Sequence, residues 1–266
     1  MITRIVGVAL AAAAAIAATP AQQSDARQAR EIMEKNFFVT KVSALRLEAT
    51  MVLITDKGQR RERRTSSAVK LQPNGVDSKL LVTFSAPADI RGTGFLQVEH
   101  SEGDDDLWIY LPALKKSRRL VANNKRDSFV GSDFAYGDIS LPKVEKYNHK
   151  LLKTEEVDGT ATYVVESTPA TPQELSGSGY SKKITWVRAD NYLEVKVEYY
   201  DLANRLFKTQ RLTKHEAVDA QKGKWFPRER EMVNHQTGHR TTFSVDKLES
   251  GVALSDEMFT TRYIER

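Results

Sequence analysis

Few residues of this chain have the type and spacing that chemistry needs. Five histidines occur, His100, His149, His215, His235 and His239. His235 and His239 stand four apart, as in a helical metal pair, but Gln236-Thr237-Gly238 between them reads as a hairpin turn that leaves both rings at a loop tip. Asp104-Asp105-Asp106 lacks the spaced ligands and closing glutamate of a calcium loop. Gly92-Thr93-Gly94 lacks the Lys-Ser/Thr ending of a phosphate loop, and Leu175-Ser176-Gly177-Ser178-Gly179 is out of register for a nucleophile elbow. Cysteine is absent, which excludes disulfides, thiol nucleophiles, Cys-based zinc or iron–sulfur sites and lipid attachment at a cysteine. The reading is therefore of a protein that is not an enzyme, with no catalytic residue, no metal and no cofactor.

Basic residues cluster twice, at Arg60, Arg61, Arg63 and Arg64 and at Lys115, Lys116, Arg118 and Arg119. On strands they would face both ways, either as charged edges that discourage pairing or as docking points for an acidic partner or an anionic membrane surface. A formal charge of +5 over 266 residues is too small to suggest nucleic acid as the partner of an exported protein.

These side chains must be carried by a sheet. Residues 1–21, MITRIVGVALAAAAAIAATPA, run from a basic start through an apolar stretch to small residues and read as a secretory signal peptide cleaved near Ala21. Residues 22–266 are then one exported, periplasmic domain, large enough to bury a core without disulfide staples. Ala29, Ile32, Met33 and Phe37 fall on one helical face, with Ser24 or Asp25 available as the cap. From about Ser43 the period becomes two, as at Leu45/Leu47/Ala49/Met51/Leu53 and Leu193/Val195/Val197/Tyr199.

Shorter alternations occur at Leu80/Val82/Phe84, Leu107/Ile109/Leu111, Ile184/Trp186 and Thr241/Phe243/Val245. Turn signals separate the runs at Asp56-Lys57-Gly58, Pro73-Asn74-Gly75, Glu102-Gly103-Asp104, Asp158-Gly159, Ala189-Asp190-Asn191, Ala203-Asn204 and Gln236-Thr237-Gly238. The pattern predicts a mainly β fold, an antiparallel meander of about 10–12 strands that must curl. Residues 123–142 read as irregular or short helices, 169–179 as a Pro/Gly/Ser-rich loop, and Leu254–Phe259 as a short capped helix or turn. A curled sheet of this size either packs its apolar face solid or leaves a pocket there, and alternation alone does not decide which.

Two stretches carry a resemblance. Asp106–Leu120, DLWIYLPALKKSRRL, and Ser128–Ile139, SFVGSDFAYGDI, resemble the outer-membrane lipoprotein-sorting (LolA-like) family, in the branch associated with RND-type exporters. The N-terminal helix, Lys224-Trp225-Phe226-Pro227 and Asp256-Glu257-Met258-Phe259 are also similar. The resemblance implies an incomplete antiparallel β-barrel that encloses helices around an apolar cavity for acyl chains. It further implies a monomeric carrier that shuttles lipoprotein or lipid cargo toward the outer membrane with transient membrane contact. The alternative is a lipid-sensing or accessory protein of an RND-type exporter. Alternation then nominates as cavity lining Leu45, Leu47, Met51, Leu53, Leu80, Val82, Phe84, Leu107, Ile109, Leu193, Val195, Val197 and Tyr199.

Overall fold

The computed structural model describes residues 20–121, 125–139 and 142–266. The signal-peptide assignment rests on residues 1–21, of which 1–19 lie outside the described residues. Helix α1 (Pro20–Val39) opens the described chain. It starts ahead of Ser24 and Asp25, so neither residue caps it. Its expected apolar face holds: Ala29, Ile32, Met33 and Phe37 are all buried.

Thirteen strands follow: β1 (Ala44–Ile54), β2 (Arg60–Leu71), β3 (Ser78–Ala86), β4 (Gly94–Val98), β5 (Asp106–Leu111) and β6 (Lys116–Leu120), then β7 (Tyr147–Val157), β8 (Thr160–Pro169), β9 (Lys182–Arg188), β10 (Glu194–Tyr200), β11 (Leu206–Asp219), β12 (Lys224–Asn234) and β13 (Arg240–Ser250). All belong to one antiparallel sheet in the order β6-β5-β4-β3-β2-β1-β13-β12-β11-β10-β9-β8-β7. Two meanders, β1–β6 and β7–β13, are thus joined where β1 pairs with β13. Each of the seven turn signals connects consecutive strands. The edges β6 and β7 do not pair, so the barrel stays incomplete.

The strand count exceeds the expected 10–12. The edges explain why alternation undercounts: β6 begins Lys-Ser-Arg-Arg, and most of β7 is partly or fully exposed. Charged, solvated edges resist pairing with other chains, and they also lack the apolar rhythm that marks a strand in sequence. Residues 169–179, expected as a loop, contain α2 (Pro172–Ser178). Thr171 Oγ1 accepts the Glu174 N–H at 3.2 Å, and Gly179 ends the helix at φ +72°.

Two elements cover the concave face. Helix α1 lies over β7–β9, packing Ala29, Ile32, Met33 and Phe37 against Val144, Val165 and Val187. Residues 125–139, which lie in the chain between β6 and β7, lay Phe129, Phe134 and Tyr136 against Phe84, Phe95, Leu107 and Ile109. Phe129 meets Phe95 and Tyr136 edge-on, at centroid distances of 5.4 and 5.5 Å. The convex face of β3–β5 is covered by the C-terminal segment, where Leu254, Phe259 and Ile264 pack with Leu81, Leu96, Trp108 and Tyr110. A Cβ on Gly94 would stand 3.1 Å from that of Ile264, so a glycine is what lets this segment lie so close. Trp108 and Tyr110 therefore face out, while Leu107 and Ile109 face in.

Candidate functional site

Between α1, the crossing segment and the sheet lies a cavity of about 230 Å³. An apolar protein cavity of about 150 Å³ already accepts benzene, so this one has room for a stretch of acyl chain. Its two long walls differ in kind. From β1 and β3 come Leu45, Leu47, Met51, Leu80 and Val82, with Thr65, Ser67 and Val69 of β2 between them, a mostly aliphatic, uncharged wall built by alternation. From β9 to β12 come Lys183, Thr185, Glu194, Gln210 and Arg230 among Val197, Tyr199 and Leu212. Met33, Asn36 and Phe37 of α1 and Phe129 and Phe134 of the crossing segment complete the enclosure.

The nominated lining residues divide accordingly. Leu45, Leu47, Met51, Leu80, Val82, Leu193, Val197 and Tyr199 line the cavity. Phe84 and Ile109 are instead packed solid beneath the aromatic crossing segment, with Leu53 half-buried at the margin of the same cluster. Leu107 shares that packing and touches a smaller neighbouring pocket of about 80 Å³. Val195 does not reach the cavity because of a β-bulge. Glu194 pairs with Val187 and Lys196 with Trp186, so Val195 is the extra residue with no partner on β9. The bulge turns Glu194 inward beside Val197, while Lys196 points out and sets its ammonium 4.0 Å from the Trp186 ring centroid.

The polar wall escaped the reading from sequence for a related reason. On β9 the apolar Ile184 and Trp186 face outward, where the Trp186 indole N–H donates to Glu155. Lys183 and Thr185 face inward. An alternating apolar pair normally marks the core side, and here it marks the other. Lys183 is 8% exposed, and its Nζ lies 5.3 and 5.0 Å from the ring centroids of Tyr180 and Tyr199 and 6.0 Å from that of Tyr147. Glu194 is surrounded by protein, and the surface it retains faces the cavity; burial pushes its carboxyl pKa up against the pull of Arg230 and Lys183. Burial likewise pushes the Arg230 guanidinium down, opposed by Glu194 and Tyr199. Arg230 lies over Phe226, 5.6 Å from its ring centroid, and its buried Nε has no hydrogen-bond partner.

The crossing segment is anchored by charged groups at several points. Tyr180 Oη and the Ala135 N–H both donate to Asp138 Oδ2 at 2.9 Å, with Lys208 Nζ 3.7 Å away. Thr241 Oγ1 donates to Asp133 Oδ2 at 2.7 Å. Val130 takes φ +49°, a left-handed conformation that costs a β-branched residue on the order of 1–3 kcal/mol. Arg63 donates to the Val130 carbonyl and stabilises that turn.

Arg63 thereby leaves the set of docking candidates: it is half-buried, and burial lowers its pKa. Arg60, Arg61 and Arg64 remain exposed on β2, as do Lys115, Lys116, Arg118 and Arg119 at the β5–β6 hairpin. Within these sets Arg64 pairs with Glu62 and Arg119 with Asp106.

The histidines go to separate partners. His100 pairs with Asp106 at 3.0 Å, and His149 contacts Ser167 Oγ and the Val144 carbonyl, both at 2.9 Å. His235 meets Thr209 Oγ1 at 2.8 Å, whereas His239 lies 3.8 Å from Asp56. Burial lowers the pKa of His149 and of His215. Among the described residues no three His, Asp or Glu side chains group as metal ligands would.

A family model described as an uncharacterized protein matches residues 76–266. No curated protein matches the chain. Among solved structures, a candidate outer-membrane lipoprotein-sorting protein domain from Vibrio parahaemolyticus is 30% identical with a TM-score of 0.83, covering 91% of this chain and 100% of its own. A DUF1329 family protein from Desulfovibrio piger is also 30% identical with a TM-score of 0.83, over 90% of this chain and 99% of its own. A LolA superfamily protein from Nitrosomonas europaea, 23% identical over 88% of this chain and 98% of its own, shares the fold with a TM-score of 0.67. An open thirteen-stranded sheet wrapped around a helix and an aromatic crossing segment, with relatives at 30% identity over nearly their whole length, assigns the chain to the DUF1329 family, with a LolA-like fold.

Proposed function

We propose that this protein is a periplasmic carrier that shields acyl chains of lipid or lipoprotein cargo in its cavity on the way toward the outer membrane. Residues 22–266 act as one unit after residues 1–21 are removed on export, and the unit works as a monomer. The observation that carries this reading is the cavity of about 230 Å³ against the aliphatic wall of Leu45, Leu47, Leu80 and Val82. Burying a chain there gains roughly 0.8 kcal/mol per methylene, enough to hold it in transit and small enough per group for an apolar acceptor to compete. Binding rather than catalysis is the activity proposed, and it needs no cofactor.

The test is extraction of the protein purified after export, followed by mass spectrometry of the lipids, together with uptake of the neutral apolar fluorophore N-phenyl-1-naphthylamine. Copurified acyl lipid and saturable uptake are expected. Absence of both would overturn the carrier reading.

One observation favours a docking role beside transport. At the β5–β6 hairpin Leu114 is 68% exposed, with Lys115 and Lys116 exposed next to it. An apolar tip among cations suits an anionic membrane surface or an acidic face of an RND-type exporter, each Lys or Arg near such a surface contributing about 1 kcal/mol. Charge reversal at Lys115, Lys116 and Arg118 is expected to abolish binding to phosphatidylglycerol vesicles while fluorophore uptake persists. Unchanged vesicle binding would remove the docking role.

A further inference from the structure

We propose that the β9–β12 wall of the cavity is a binding site for the anionic head of its cargo, a single-chain amphiphile whose head carries one negative charge, with Lys183 and Arg230 as the groups that hold it. The inference rests on the carrier reading and adds to it the chemical class of the ligand.

The argument begins with charge. Three ionic pairs border the cavity, each with at least one member in its lining: Lys41 with Glu99 at 2.6 Å, Lys143 with Asp105 at 3.3 Å and Lys208 with Asp138 at 3.7 Å. Lys183, Arg230 and Glu194 have no such partner. None of the three makes an ion pair within 4 Å among the described residues, and neither cationic side chain makes a hydrogen bond there. Two cations against one carboxylate leave one positive charge in a site largely removed from water. A buried charge without a partner is costly, and a buried polar atom without a hydrogen bond calls for an explanation.

The tyrosines around Lys183 do not supply the missing anion. Tyr180 Oη donates to Asp138 at 2.9 Å and Tyr199 Oη donates to Gln210 Oε1 at 2.6 Å. Both phenols are thus committed elsewhere, and burial pushes both pKa values well above the ordinary tyrosine value, so they stay neutral. What they offer Lys183 is their rings, which tolerate an ammonium without neutralising it. The free bonding capacity of Lys183 and the open part of the Arg230 guanidinium remain for a ligand.

The opposite wall sets the rest of the ligand. Leu45, Leu47, Leu80 and Val82 suit an alkyl chain, and a volume of about 230 Å³ suits one chain better than several. One net positive charge matches a carboxylate or a phosphodiester and disfavours a phosphomonoester dianion. The arrangement therefore fits a free fatty acid or a single-chain lysophospholipid, and these two sources separate by experiment.

The full exported protein, stripped of lipid, is titrated by displacement of N-phenyl-1-naphthylamine with laurate, with 1-dodecanol and with 1-lauroyl-lysophosphatidylglycerol. Laurate or the lysophosphatidylglycerol is expected to bind at least about tenfold more tightly than dodecanol, the scale of a charge-assisted hydrogen bond inside a protein. Lys183→Met and Arg230→Met should each weaken the anion by about that factor relative to dodecanol and the fluorophore measured on the same variant. Lys183→Arg should restore it. Fluorophore uptake by each variant shows that the cavity is still formed.

Preference for laurate identifies a carboxylate head, and preference for lysophosphatidylglycerol a phosphodiester head. Equal binding of anion and alcohol by the wild-type protein would overturn the anion site while the carrier reading stands. Failure of every ligand and of the fluorophore would instead overturn the carrier reading.

Discussion

The two walls of the cavity are built from the same sheet and behave as opposites. On the β1–β3 side β1 and β3 supply Leu45, Leu47, Met51, Leu80 and Val82, and β2 between them adds Val69 with the small polar Thr65 and Ser67, so the wall is uncharged and mostly hydrocarbon. On the β9–β12 side one bulge and one inverted strand bring Glu194 and Lys183 inward, with Arg230 opposite. The first wall serves the fold and any apolar ligand equally. The second is poorly suited to stability, because it buries charges that do not pair. That contrast assigns the first wall to packing and the second to recognition.

The two walls and the crossing segment between them should respond differently to substitution. Truncation beneath the cover should cost most. Phe129→Ala removes a ring packed among Phe84, Phe95 and Tyr136 and is expected to lower unfolding free energy by about 3–5 kcal/mol in urea titrations. A cost under about 1 kcal/mol would mean that the segment only rests on the sheet.

A smaller effect is expected at its anchor. Arg63→Met leaves the Val130 turn without its donor and should cost about 1–3 kcal/mol, whereas Arg61→Met, two residues away and exposed, should change stability by less than about 0.5 kcal/mol. Equal values would return Arg63 to the surface cluster.

Lys183→Met is the sharpest contrast with the aliphatic wall. Without ligand it should change stability by about 1 kcal/mol at most, since the lost ring contacts offset relief of a buried charge. Leu45→Ala, at a residue 1% exposed, should cost about 2–5 kcal/mol in the same assay. Similar losses at both positions would erase the distinction between the walls.

The smallest signal is in the pH dependence. The folded pKa of Glu194 is raised, chiefly by burial, so its contribution favours the fold below the unfolded glutamate value and is lost as pH rises through the folded value. Glu194→Gln should therefore have a higher Tm than the wild-type protein at pH 8, with the difference vanishing toward pH 4. A difference that grows on acidification would contradict the raised value.

The sequence made much of this architecture legible. Polar turn residues need left-handed or tight conformations, and the seven signals from Asp56-Lys57-Gly58 to Gln236-Thr237-Gly238 all join neighbouring strands. Alternation located eight cavity residues, because position along a regular strand fixes the face. It failed at Val195, where one inserted residue reverses the parity, and at Phe84, Leu107 and Ile109, where the correct face is filled by Phe129, Phe134 and Tyr136. The run Phe129–Tyr136 was recognisable as a motif, but its role depends on which face it covers, and no local pattern reports that. Lys183 and Arg230 carried no signal: a single charged residue in a strand reads as solvent-facing unless its neighbours across the sheet are known.

By itself the sequence determined the class of fold, the antiparallel order of neighbouring strands, the buried face of α1 and the absence of thiol chemistry. Each of these depends on residue type and short-range period. Tertiary structure alone decided that β1 closes against β13, that β6 and β7 stay apart, that part of the concave face is filled, and that a buried lysine and a partly buried arginine and glutamate share the remaining space. The reason is physical: strand parity fixes which side a residue takes, but the occupant of that side is set by segments far away in the chain.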